Sequence, residues 1–198
     1  MRSALTDSGP DAASAGTYLE LRFHAANPPS DVSRITVRLL RPDPHWLTLR
    51  WRIEGAHSLV VPALAGRRRA NDLWRTTCFE LFVRGAGEGY SEFNLSPSEN
   101  WAAYDFTGYR ADMAERPVPR APVCTLRGSG DVVLFEAAIP LGSLPPLPAV
   151  AGICAVIEEA GGVKSYWALA HAPGAPDFHD PACFAITLPA PGAYLQEG

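Results

Sequence analysis

The chain has no excess of positive charge, no long apolar run, no closely spaced cysteines and no stretch of helical periodicity, and each absence removes a class of protein. Its 198 residues carry 17 Lys and Arg against 21 Asp and Glu, a formal net charge of −4, whereas a nucleic-acid groove needs a basic excess. No nucleic-acid partner is therefore expected. The opening MRSALTDSGPDAASAG has one arginine and no apolar run, so it reads neither as a signal peptide nor as a membrane anchor. A disordered tail over 1–16 and a short tail over 191–198 are expected to flank a single domain at 17–190. Cys78, Cys124, Cys154 and Cys183 lie far apart without CxxC spacing, which speaks against zinc and for free, mostly buried thiols. With no export signal, such thiols point to a cytoplasmic protein. The one basic cluster, Arg67 to Arg69, reads as a solvated loop tip.

What is present is a succession of short alternating segments. With 19 prolines and 17 glycines and no long window of helical spacing, the chain is expected to be all-β with little helix. Candidate strands are Tyr18 to His24, Arg34 to Leu40, Trp46 to Glu54, Ser58 to Val61, Thr77 to Val83, Tyr90 to Ser96, Trp101 to Phe106, Val123 to Arg127, Val132 to Ile139, Gly152 to Glu159, Ser165 to Ala170 and Cys183 to Leu188. About 11–12 short strands in one domain suggest a sandwich or a barrel. In Trp46 to Ile53, Leu47, Leu49, Trp51 and Ile53 alternate with Thr48, Arg50 and Arg52, and Trp46 and Trp51 read as packing residues. Proline-rich ERPVPRAPV and PLGSLPPLP read as long loops, the second with a helical turn at Leu141 to Leu144.

The run LWRTTCFELFVRGAGEGYSEFNLSPSENWAAYDFTGYR from Leu73 to Arg110 is the most informative segment. Two strands joined by six residues with three glycines read as an antiparallel hairpin. Phe79, Leu81, Val83, Phe93 and Leu95 fall on one face and are expected in the core. The other face carries Cys78, Glu80 and Phe82 beside Tyr90, Glu92, Asn94 and Ser96. If Phe82 opposes Tyr90, Glu80 opposes Glu92, and like charges opposite one another destabilise a sheet. Such a pair is either solvated, sharing a proton, or binding something.

The segments LWRTTCFELFV, YSEFNLSPSENWAAYDFTGYR, FEAAIPLGSL and SYWALAHAPGAPDFHD together resemble the DOMON-like proteins related to family-nine carbohydrate-binding modules. That resemblance implies an antiparallel two-sheet β-sandwich of immunoglobulin or jelly-roll type, with a ligand site on a sheet face or rim. It implies sugars or haem as ligands, and a sugar held between tryptophans, for which Trp74 and Trp167 are the candidates. Aromatic rings cover the apolar face of a pyranose while carboxylates, amides and guanidinium groups bind its hydroxyls. The candidate ligand-binding set is Trp74, Arg75, Glu80, Glu92, Asn94, Trp101, Tyr104, Tyr109, Arg110, Trp167 and His171.

In HAPGAPDFHD, His171, Asp177 and His179 sit in a loop after a strand, where they can order the loop, touch a ligand or hold a cation. Three functions follow. The first is a non-catalytic module for a small saccharide or sugar derivative. The second is a sugar-active enzyme with Glu80 and Glu92 as acid and base. The third is haem-based electron transfer through Met113 and His171. No catalytic residue and no cofactor are assigned, haem and a bound cation being the alternatives. The expected partner is a small molecule and not a membrane, with the protein a monomer or a homodimer.

Overall fold

The computed structural model describes residues 11, 12, 16, 18–40 and 43–191, and the expected terminal tails lie almost wholly outside them. The strands are β1 (Asp11–Ala12), β2 (Tyr18–Phe23), β3 (Arg34–Leu39), β4 (Trp46–Glu54), β5 (Cys78–Arg84), β6 (Tyr90–Leu95), β7 (Trp101–Phe106), β8 (Ala114–Glu115), β9 (Val123–Ser129), β10 (Val132–Pro140), β11 (Ala149–Glu159), β12 (Val163–Ala168) and β13 (Ile186–Leu188). The helical turn expected near Leu141 is a 3-10 turn over Leu141–Ser143. Ser58 to Val61 is not a strand, because its pairing with the end of β11 amounts to a single isolated bridge, Leu59 to Glu159. No helix among the described residues is long and apolar enough to cross a membrane.

The strands are hydrogen-bonded in the order β8-β7-β6-β5-β11-β12-β2-β3-β4-β10-β9, with β13 pairing off this path to β11 and to β1. Neighbours are antiparallel except β1 and β13. Two separate sheets were expected, but the hydrogen bonds draw one curled sheet. The connection is β2, which pairs with β12 through Phe23 and Arg22 and with β3 through Tyr18 to Leu21. One strand thus serves both halves.

The curl brings the inner faces of the two halves together. Phe79 of β5 stacks on Phe135 of β10 with ring centroids 4.1 Å apart, and Trp51 of β4 packs against both at 5.3 and 5.7 Å. Leu81, Val83, Phe93 and Leu95 join this core, as alternation predicts. The core-facing residues of β4 and β10 alternate just as cleanly, each outward residue being partly exposed. A smaller apolar cluster lies on the outer face of β5, β6 and β11, where Phe82, Tyr90, Phe106, Phe178 and Phe184 meet. The four cysteines are free and buried.

Arg69 departs from the solvated tip expected of its cluster. Arg67 and Arg68 are exposed, but the Arg69 guanidinium donates to the carbonyls of Ala103 and Arg116 at 2.9 and 2.7 Å. It also lies 4.5 Å over the Trp101 ring. This cation ties the loop before β5 to the edge of the sheet.

Candidate functional site

The register of the β5–β6 hairpin differs by two residues from the expected one. β5 runs on to Arg84, which pairs with Tyr90, so Glu80 faces Asn94 and Phe82 faces Glu92. The turn is the shorter Gly85-to-Gly89 loop, closed by the Gly85 N–H on the Gly89 carbonyl at 2.8 Å. A two-residue slip preserves which face each side chain takes. It turns the two glutamates from opposed into diagonal neighbours, and Asn94 donates to Glu92 Oε1 at 2.6 Å.

Above this outer face lies a cavity of about 1050 Å³, at the upper end of the ~300–1,000 Å³ usual for small-molecule sites. Its floor comes from Glu80 and Phe82 of β5, Glu92 of β6, Tyr104 and Phe106 of β7, Val156 of β11 and Tyr166 of β12. Loops complete the wall with Asn27, Asn71, Asp72, Trp74, Arg110, Met113, Pro176, Asp177, Phe178 and His179, and Glu115 of β8 adds to it. Regular strands therefore hold the carboxyl groups, and loops bring the ring and guanidinium that face them.

The walls are cross-linked. Arg110 has a left-handed backbone at φ 52°, a conformation uncommon outside glycine. Its guanidinium donates to Asp177 Oδ1 at 2.7 Å, and Tyr109 Oη donates to Asp177 Oδ2. Asp177 also accepts the His179 N–H at 3.1 Å. Tyr90 Oη accepts the Arg110 N–H at 3.1 Å and lies 2.7 Å from His179 Nδ1. In the tautomer with the imidazole proton on Nε2, Tyr90 donates its hydrogen to Nδ1. Nε2 is 3.8 Å from Glu92 Oε2, too far for a hydrogen bond. Tyr104 Oη donates to Asn71 Oδ1 at 2.6 Å.

Glu80 and Glu92 are only 3% and 7% exposed. Burial first, then the neighbouring Glu92 charge, holds Glu80 well above the usual carboxylate range, against the pull of Arg110. Burial raises Glu92 as well, with the Asn94 hydrogen bond and Arg110 opposing. His179 moves the other way, its pKa lowered to about 4 by burial and by Arg110, so it is neutral at pH 7. Burial works against the charge on Asp177, but hydrogen bonds from Tyr109 and Arg110 outweigh it and lower its pKa. Among the described residues no hydrogen bond or ion pair reaches the Glu80 carboxyl group. That carboxyl group instead opens onto the cavity, where a molecule that enters can reach it.

Of the residues singled out from the sequence, Trp74, Glu80, Glu92, Tyr104 and Arg110 line the cavity. Asn94 and Tyr109 lie one contact behind it, on Glu92 and Asp177. Arg75 is exposed, 5.2 Å over the Trp74 ring. Trp101 and Trp167 are turned to the core instead. Trp101 pairs with Leu95, and Trp167 pairs with Ala155 and donates its indole N–H to Ser165 Oγ at 2.8 Å. Tyr166, one residue earlier, takes the outer face. His171 is held by the Arg22 carbonyl at 2.8 Å and does not line the cavity, so the structure does not bring it and Met113 to one pocket. Asp177 and His179, left open in the loop reading, do join the site. Phe82, Phe106 and Tyr166 were legible from period-two alternation once one outward residue per strand was known.

No family model matches the chain, and no curated protein matches it. Among solved structures it is similar to a Bacteroides uniformis protein provisionally assigned as carbohydrate-binding, with TM-score 0.57, 14% identity, and coverage of 87% of this chain and 86% of that one. Two structures of family-nine carbohydrate-binding modules from Caldicellulosiruptor kristjanssonii, one with cellotriose and one with glucose, match with TM-scores of 0.49 and 0.47. Both cover 91% of this chain, with 93% and 94% of theirs, at 14% and 11% identity. The first likeness defines the class of fold, a β-rich fold shared with a protein of that assignment. Nothing in the comparisons bears on DOMON-like proteins.

Proposed function

We propose that this chain is a non-catalytic binding protein that takes a small saccharide or sugar derivative into the cavity over β5, β6 and β7. The observation that carries the reading is the unpartnered Glu80 carboxyl group, buried at the floor of a cavity large enough for a small molecule. Such a group is satisfied by a ligand that donates hydrogen bonds to it, and polyols are dense in donors. The rings of Trp74, Tyr104 and Tyr166 supply the apolar surface that the C–H face of a sugar needs. The fold shared with a protein assigned to carbohydrate binding is consistent with this.

The test is a thermal-shift and calorimetric screen of mono- and disaccharides. A ligand at a hundred times its Kd adds about 2.7 kcal/mol to stability, a shift plainly visible in a melt. Trp74 is 50% exposed, so Trp74→Ala is expected to leave the melting temperature of the free protein nearly unchanged. The same substitution is expected to weaken saccharide binding at least tenfold, about 1.4 kcal/mol. Unchanged affinity in that variant would count against the site. Catalysis by the two glutamates is the second reading, favoured by their raised pKa values, since a carboxyl group kept protonated can act as a general acid. Release of a sugar product during the same screen, lost in Glu80→Gln, would favour it.

A further inference from the structure

The charges around the cavity do not balance. Five carboxyl groups line it, those of Asp72, Glu80, Glu92, Glu115 and Asp177. Three have an arginine each: Asp72 is 3.4 Å from Arg75, Glu115 is 3.8 Å from Arg69, and Asp177 is 2.7 Å from Arg110. The remaining two, Glu80 and Glu92, are the most deeply buried; Arg110 acts on both only from its ion pair with Asp177, and the nearby His179 is uncharged at neutral pH.

Hydrogen bonding shows the same deficit. Glu92 receives one bond, from Asn94, and Glu80 receives none among the described residues. The floor therefore offers carboxyl oxygens in excess of protein donors. A hydroxyl that fills one of these positions brings lone pairs as well as a hydrogen, whereas an alkylammonium brings three donors and no acceptor. Charge-assisted bonds of that kind are also roughly twice as strong as neutral ones. Phe82, directly opposite Glu92 on the same face, adds a ring against which a cation is favourable.

We propose that the ligand carries a primary amine that docks on Glu80 and Glu92, so that amino sugars are the favoured class within the saccharide reading on which this rests. The second carboxyl group of the pair keeps a proton or accepts a further N–H, and the sugar ring lies outward against Tyr104, Tyr166 and Trp74. An acidic sugar would add one more carboxylate to a floor that already carries two buried carboxyl groups and is disfavoured.

Calorimetry on the full chain at pH 7.5 with glucosamine and galactosamine, their neutral parents glucose and galactose, N-acetylglucosamine and cyclohexylamine decides the matter. At least one aminohexose is expected to bind tenfold or more tightly than its parent sugar, and glucosamine more tightly than N-acetylglucosamine, which has lost the charge. In Glu80→Gln that ratio is expected to fall toward one, with Glu92→Gln as the second variant should the first fail to fold. Equal affinity for amine and parent sugars in the wild type overturns the amine docking and leaves the saccharide reading standing. Cyclohexylamine binding without any sugar binding overturns the saccharide reading and leaves the amine docking. Binding of none of the six overturns both.

Discussion

Replacing Glu159 with alanine is expected to lower the free energy of unfolding by about 4 kcal/mol, read from urea denaturation. Glu159 ends β11 and is fully buried. Its carboxylate accepts the backbone N–H groups of Ser30, Asp31 and Val32 at 2.8, 2.6 and 3.0 Å and the Ser58 hydroxyl at 3.3 Å. Ser30, Asp31 and Val32 lie in the connection from β2 to β3, and Ser58 in the turn after β4. Alanine would take a charged acceptor from three amide donors, and a hydrogen bond to a charged group contributes roughly 1.5–3 kcal/mol. The loop has little room to find other partners, since Gly55 packs so closely that a β-carbon there would lie 2.2 Å from the Asp31 carbonyl oxygen. Glu159→Gln, which keeps one acceptor oxygen, is expected to fall between the two. A loss under about 1 kcal/mol on alanine substitution would show that the loop is held by other means.

Glu80→Leu is expected to do the opposite, raising stability by about 1–3 kcal/mol at pH 7 while removing ligand binding. Glu80 is only 3% exposed and burial opposes its ionisation, so an apolar side chain there removes a desolvation cost. The pH dependence supplies the check. Glu80 holds its proton more tightly folded than unfolded, so as pH rises above the ordinary carboxylate range the folded state binds more protons than the unfolded state. Stability then falls with rising pH until the folded group ionises. The advantage of Glu80→Leu over wild type should therefore grow from about pH 4.5 upward. His179 acts in the other direction. Its pKa falls from 6.5 to about 4 on folding, so its contribution is complete above pH 6.5 and is lost as pH drops toward 4. Urea midpoints across pH 4 to 8 for wild type, Glu80→Leu and His179→Phe separate the two slopes. A Glu80→Leu protein less stable than wild type at pH 7 would mean that Glu80 has a stabilising role in the free protein.

Much of this arrangement was legible in the sequence because alternation reports faces directly. Trp46–Glu54 and Trp101–Phe106 begin and end as their patterns predict, and Phe79, Leu81, Phe93 and Leu95 are in the core. Pairing was less legible. The β5–β6 register turns on whether the strand stops at Val83 or runs on to Arg84, and the three glycines between the strands allow either. Whether the strands form one sheet or two depends on the two residues by which β2 reaches β12, a contact distant in sequence and unmarked by any motif. Trp167 illustrates a third limit. SYWALA places rings on both faces, and the resemblance pointed to Trp167 for the ligand, whereas its partner Ala155 lies among the core residues. Arg69 looked like its two neighbours in the chain, and what distinguishes it, the Ala103 and Arg116 carbonyls and the Trp101 ring, is distant in sequence.

The registers that join β7, β6, β5, β11 and β12 all pair odd-numbered residues with odd and even with even. Across five strands, odd positions such as 79, 81, 93, 103, 153, 155 and 167 therefore belong to the core, and even positions such as 80, 82, 92, 104, 156 and 166 belong to the cavity. Recognition and folding are written on alternate letters of the same text. A library that randomises the even letters lining the cavity, sparing the buried Tyr90, Cys154 and Ala168, can reshape that wall while leaving the larger core intact.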